Sequence, residues 1–282
     1  EIEALTQDYS LSPLVFNISG SFYKSNDQLD VAVKKFKQAL TLKPDYAEVH
    51  YNLGVTLREL GQIEEAIKSY KNALSIKNTY PNAHYNLGNA LVSIKQYDDA
   101  IKHFESAVLF NPKFAQAYNN LGLLYKSLGK DFKAGKNFDK ALAIKPDYDE
   151  AMNHRGVIFQ NVGDFENAIK YYQKSLAINP KLADAHNNIG LTEKELNKTD
   201  NAIKSFEKAL SIDSNFANAY YNLSQFKQYT LSKEQISKMQ LLLATDGASQ
   251  SDLIAINFAL ANANEDLGNT DEFFNYLNEG NR

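Results

Sequence analysis

Residues Ala47 to Asn78 read AEVHYNLGVTLRELGQIEEAIKSYKNALSIKN. Small residues stand at Gly54, Ala66 and Ala73, and large ones at Leu53, Leu57, Tyr70 and Leu74. The large residues lie one or two helical turns apart, as on the buried stripes of two amphipathic helices. The small ones mark where the two axes must come close. Gly61 falls between the stripes, where the first helix has to end and the chain reverse. The stretch is expected to be a helical hairpin.

Its spacing recurs along the chain. Gly20, Gly54, Gly88, Gly122, Gly156 and Gly190 are each 34 residues apart, and Ser224 continues the column. Alanine follows twelve residues later at Ala32, Ala66, Ala100, Ala134, Ala168 and Ala202. An aromatic comes four further on, at Phe36, Tyr70, Phe104, Phe138, Tyr172 and Phe206. Pro44, Pro112, Pro146 and Pro180 close four of the units, where the second helix must stop. No insertion or deletion breaks the register. One such hairpin cannot bury its own apolar face, so the units must stack into a solenoid.

These residues closely resemble the tetratricopeptide repeat. The resemblance implies an all-α protein, a right-handed superhelical solenoid of stacked antiparallel helix hairpins. Six full units are expected over 13–46, 47–80, 81–114, 115–148, 149–182 and 183–216, with the first helix of a seventh over 217–229. Residues 1–12 read as the tail of an earlier repeat helix, so the sequence is expected to be an excerpt of a longer protein or a processed one. Residues 230–282 read as a helix followed by a degenerate helical hairpin, with Ala261 in the small position and Leu267-Gly268 at the turn. Such a section would cap the open face of the last repeat.

Thirty basic residues against 34 acidic ones give no electrostatic reason to expect nucleic acid as a partner. No apolar run reaches the roughly 18 residues of a membrane helix, so no membrane insertion is expected. The absence of cysteine excludes disulfides and thiolate chemistry. The expected setting is cytoplasmic.

The first helices of a stacked hairpin array line its concave surface. Two residues before the glycine column stand Asn52, Asn86, Asn120, Asn188 and Asn222, with His154 and Ile18 as exceptions. An amide offers both donors and an acceptor, which suits the backbone of an extended peptide. This column resembles the asparagine ladder in the repeat region of the O-linked N-acetylglucosamine transferase. The bland alternative is that Asn is repeat consensus that steadies the helix pair. One residue earlier lie Tyr51, Tyr85, Asn119, Asn153 and Asn187, where tyrosines would present flat faces to a ligand. Asn89 stands one residue after the glycine column. The repeats of chaperone type that grip a C-terminal carboxylate need paired Lys and Arg in the groove, and this chain lacks them.

Catalytic motifs are absent: no HExxH, GxSxG, Walker-type or GxGxxG run occurs. His50, His84 and His186 share one column a repeat or more apart, so they cannot hold a common metal and read as packing residues. No catalytic residue, metal or cofactor is expected. His154 is the titratable group expected in the ladder. Arg155 and Glu193 stand where apolar residues pack in other units, and they are expected to pair across the repeat boundary, unless Arg155 snorkels outward.

The expected function is a non-enzymatic scaffold holding a peptide or protein segment in the groove, with self-association left open. The alternative is a binding arm of a larger transferase. The stretch YNLSQFKQYTLSKEQISKMQLLLA from Tyr221, followed by INFALANANEDLGNTDEFFNYLNEGN, about the last sixty residues, resembles the junction in bacterial repeat proteins that continue into a sulfotransferase domain, and the ladder offers a weaker likeness to a glycosyltransferase. In either case a catalytic domain would follow Arg282.

Overall fold

The computed structural model describes residues 12–245 and 247–282; the expected helix tail at 1–11 lies outside them. Sixteen α-helices and no strand occur among the described residues. The chain divides into two compact units, Glu1–Ile144 and Lys145–Arg282. The first holds four hairpins: α1 (Pro13–Ser25) with α2 (Leu29–Leu42), α3 (Ala47–Glu59) with α4 (Ile63–Ile76), α5 (Pro81–Ser93) with α6 (Tyr97–Phe110), and α7 (Ala115–Ser127) with α8 (Asp131–Ile144). The second holds α9 (Asp149–Asn161) with α10 (Phe165–Ile178) and α11 (Ala183–Glu195) with α12 (Thr199–Ile212). It ends in α13 (Ala217–Ser224), α14 (Lys233–Ala244), α15 (Gln250–Asp266) and α16 (Thr270–Gly280). Within each unit, a hairpin's second helix packs on the first helix of the next.

One contact builds every hairpin. The ring of Phe36, Tyr70, Phe104, Phe138, Tyr172 or Phe206 lies over the glycine sixteen residues before it. A Cβ on that glycine would come within 2.5–2.7 Å of a ring carbon, closer than real contacts allow. These rings are buried, as are the alanines of the Ala32-to-Ala202 column. Burying an aromatic of this size contributes roughly 1.5–3 kcal/mol, so the repeated pair is the main source of hairpin stability. The Tyr70 hydroxyl is buried without a hydrogen-bond partner. Tyr172 in the same column donates its hydroxyl to Gln160 Oε1 at 2.7 Å.

The reversals also repeat. Asp27, Gly61, Lys95, Gly129, Gly163 and Asn197 all adopt left-handed backbone, with φ of 56–80°. At Gly61 the amide bonds the Arg58 carbonyl, and the next amide, of Gln62, bonds the Leu57 carbonyl. This pair of bonds satisfies carbonyls the helix end would leave open. Between hairpins the histidine column closes the loop. His50 Nε2 lies 2.9 Å from the Pro44 carbonyl, and His84 Nε2 lies 2.9 Å from the Asn78 carbonyl. Tyr220 does the same with its hydroxyl to Ser214. Since a carbonyl only accepts, the imidazole proton is on Nε2. His84 Nδ1 must then accept, and His103 Nδ1, 2.9 Å away, donates to it. Burial, aided by the charge His84 would carry, holds His103 down to about 4.

The last helices form a core of their own around Met239, Ile256 and Leu260, with Ala217 and Tyr220 packed on it. Ala261 is fully buried and Gly268 makes the left-handed turn before α16. Ser232 caps α14 and Gln235 bonds back to it, a reciprocal capping box. Ser249 caps α15.

Candidate functional site

The asparagine column sits on the first helix of each hairpin, two residues before the glycine that fixes that helix against its partner. Its side chains are therefore held at constant positions by the most rigid contact in the unit. Each amide points its Nδ2 back to the residue 35 positions earlier, on the preceding first helix. In the first unit Asn52 donates to Asn17 Oδ1 at 3.1 Å, Asn86 to the Tyr51 hydroxyl at 3.0 Å and Asn120 to the Tyr85 hydroxyl at 3.1 Å. In the second unit Asn188 donates to Asn153 Oδ1 at 3.1 Å and Asn222 to Asn187 Oδ1 at 2.9 Å.

The two columns marked out in the sequence thus meet as donor and acceptor. The column of Asn17, Tyr51, Tyr85, Asn153 and Asn187 supplies acceptors to the next first helix. Asn119, Asn153 and Asn187 are buried, at 2%, 5% and 6% exposure. Asn222 is buried as well, whereas Asn52, Asn86, Asn120, Asn188 and His154 are half-buried. Tyr51 packs its ring on Tyr80, with centroids 5.0 Å apart, and Tyr85 packs on Phe114 at 4.8 Å. Their ring faces are engaged within the array, so the hydroxyl is the part that reaches the ladder. Burial raises the Tyr51 phenol above its ordinary value, and it stays neutral.

Two further side chains join the ladder in the first unit. Arg58 Nη1 donates to Asn86 Oδ1 at 3.4 Å, and Asn120 Nδ2 makes a second bond, to Asn89 Oδ1, at 2.8 Å. The amide oxygens of Asn52, Asn120, Asn188 and Asn222 accept no bond from the described residues. Each ladder bond uses one of the two Nδ2 hydrogens, so the column offers amide oxygens as acceptors beside its remaining donors.

The expected ion pair between Arg155 and Glu193 does not form. Glu193 Oε2 instead accepts from Ser205 Oγ at 2.8 Å, on the other helix of its own hairpin. The Arg155 guanidinium lies 4.0 Å over the Phe159 ring, four residues along its own helix. Glu193 is thus bonded within its own hairpin, and Arg155 lies against a ring of its own helix. No cluster of three or more His, Cys, Asp or Glu placed to hold a metal occurs among the described residues. No helix among them is long and apolar enough to cross a membrane.

Sequence reasoning missed the acceptor role of the column before the ladder, the loop-closing histidines and the left-handed Asp27, Lys95 and Asn197. The 35-residue offset could have suggested the first, since polar side chains recur there in register.

Comparison with known proteins gives a consistent answer. Residues 20–58, 56–94 and 88–129 match the family described as TPR repeat, and residues 113–181 and 147–215 match the tetratricopeptide repeat. No curated protein matches the sequence. Among solved structures, MamA is 31% identical, with a TM-score of 0.55 over 58% of this chain and 96% of that one. YrrB, described as a TPR protein with an unusual peptide-binding site, is 23% identical, with a TM-score of 0.56 over 65% and 95%. A tetratricopeptide repeat protein from Parabacteroides merdae is 17% identical, with a TM-score of 0.71 over 88% and 98%. The 34-residue register, the glycine–aromatic contact and these matches place the chain in the tetratricopeptide-repeat family.

Proposed function

We propose that the chain is a non-catalytic scaffold that holds an extended peptide or protein segment along its first helices. The observation that carries this reading is the orientation of the asparagine column. Each ladder bond takes one Nδ2 hydrogen, and the oxygens of Asn52 and Asn120 in the first unit, and of Asn188 and Asn222 in the second, remain as acceptors. An extended segment presents backbone N–H groups at regular intervals and suits such acceptors whatever its side chains. Tyr51 and Tyr85 hold Asn86 and Asn120 from behind, and Asn153 and Asn187 hold Asn188 and Asn222. His154 occupies the same sequence column in the second unit, and Asn86 is steadied by Arg58. A TPR protein of the same fold, YrrB, has a peptide-binding site.

A phage-displayed library of random dodecapeptides, selected on the full chain, tests the reading. Peptides recovered on the native protein are expected to bind the Asn86→Ala, Asn120→Ala double variant about tenfold more weakly or worse. Its helical circular dichroism should be unchanged. Equal affinity would remove the ladder from the account. The alternative, an arm of a larger transferase, rests on the sequence resemblance of about the last sixty residues and, more weakly, on the ladder, and a phosphate-binding loop encoded after Arg282 would favour it.

A further inference from the structure

Four residues after the glycine column runs another series: Lys24, Arg58, Val92, Lys126, Gln160 and Lys194. Five of the six are long and polar. Where their contacts stay within one unit, most reach forward to the next first helix. Lys24 pairs with Glu59 at 3.0 Å, Arg58 reaches Asn86, and Lys194 bonds Gln225 while lying 5.8 Å over the Phe226 ring. Gln160 turns instead to its own hairpin, where it accepts from Tyr172. Val92 is the exception in the series, too short and apolar to cross to α7.

The gap it leaves is a cavity of about 340 Å³ between α5, α6 and α7. Val92, Tyr97, Phe104, Leu123 and Leu124 form its apolar walls. Asn89 and Asn120, bonded to each other at 2.8 Å, stand at its polar edge. Both hydrogens of Asn120 Nδ2 are committed, one to Tyr85 and one to Asn89. Asn120 Oδ1 and Asn89 Nδ2 have no bond from the described residues, which leaves one acceptor and one donor at that edge. That is the complement of the N–H and C=O of a single extended residue, which leave its backbone on the same side. A site of this size with apolar walls and a few polar groups is at the lower end of the range for ligand pockets.

We infer that this cavity is the side-chain pocket that gives the scaffold its selectivity, taking one large apolar residue of the Leu, Met or Phe class from the bound segment. That residue's own backbone N–H bonds Asn120 Oδ1, and its C=O accepts from Asn89 Nδ2. The inference rests on the peptide-binding reading above and adds to it the class of residue selected. Burial of such a side chain favours it over glycine by about tenfold or more.

The test uses the full chain with labelled methyl groups and two probes, N-acetyl-leucine N-methylamide and N-acetyl-glycine N-methylamide. The leucine probe is expected to shift the Val92, Leu123 and Leu124 methyls saturably, and the glycine probe to bind about tenfold more weakly or not at all. Val92→Lys restores the residue type found at Lys24 and Lys194, fills the cavity, and should abolish the response with the melting temperature unchanged. If that variant loses helicity, Val92→Gln, matching Gln160, replaces it. Unmoved methyls, equal shifts from the two probes, or undiminished binding by Val92→Lys overturn the inference. Library peptides that depend on Asn86 and Asn120 but ignore Val92→Lys overturn the pocket and leave the groove standing. If the leucine probe binds but the library yields no peptide, the groove reading falls, and the pocket's role as part of it falls too.

Discussion

The hairpins of the first unit and the two helices α14 and α15 of the closing section start in different ways; in the second unit Asp164 also caps α10 through the Asn167 amide. In the first unit α3, α5 and α7 begin after Tyr46, Tyr80 and Phe114, and α2, α4 and α6 after Gln28, Gln62 and Gln96. None of these residues caps its helix with a side chain. In the closing section α14 and α15 begin at Ser232 and Ser249, and both serines accept from the first turn. A helix held by a glycine–aromatic contact and by a neighbouring hairpin has its ends set by packing. A helix outside the 34-residue register has no such template and needs its own start signal.

The sharpest way to break this comparison is a methyl group. Gly88→Ala puts a Cβ 2.7 Å from the Phe104 ring and should cost about 2–3 kcal/mol in urea unfolding. Gly280→Ala, in the closing section, meets its nearest atoms at 3.4 Å and should change stability by no more than about 0.5 kcal/mol. Similar costs for the two would mean that the glycine column does not fix the hairpins. Next in size, Ser232→Ala should lose about 1 kcal/mol. The loss should appear as faster amide exchange across Lys233–Ala244, while Gln62→Ala leaves Ile63–Ile76 unchanged. The smallest effect is a gain. Lys95 occupies a left-handed turn that Gly61 and Gly129 occupy without strain, so Lys95→Gly should stabilise by roughly 0.5–1 kcal/mol in thermal unfolding. A loss there would show that Lys95 makes a contact worth more than its backbone strain.

The same contrast explains what was legible beforehand. The glycine and aromatic columns could be read because each position has one steric solution and repeats in register. The turns were half legible: Gly61, Gly129 and Gly163 announce them, but Asp27, Lys95 and Asn197 take the same conformation without the residue that signals it. The asparagine column was visible as a column, while the direction of each amide was not. That direction depends on an acceptor 35 residues away, and a sequence column does not record which end of an amide is satisfied. The Arg155–Glu193 expectation failed for a related reason. Opposite charges in adjacent units invite a pair, but Ser205 and Phe159 are nearer partners, and charged side chains satisfy their hydrogen bonds at the shortest reach. Val92 was present in the sequence throughout, and only the reach of Arg58 and Lys194 makes its shortness mean something.

The hydrogen bonds that run from one first helix to the next set how this protein can change length over generations. Those of the asparagine column span 35 residues, and each glycine from Gly20 to Gly190 in the 34-residue column meets a ring 16 residues on. A single residue gained inside a helix turns everything after it by about 100°, moving each amide off its acceptor. A gain or loss of 34 residues, such as 81–114, brings equivalent columns back together. Inheritance by whole units is the tolerated path, and in this chain losing that one unit would also remove the valine that opens the pocket.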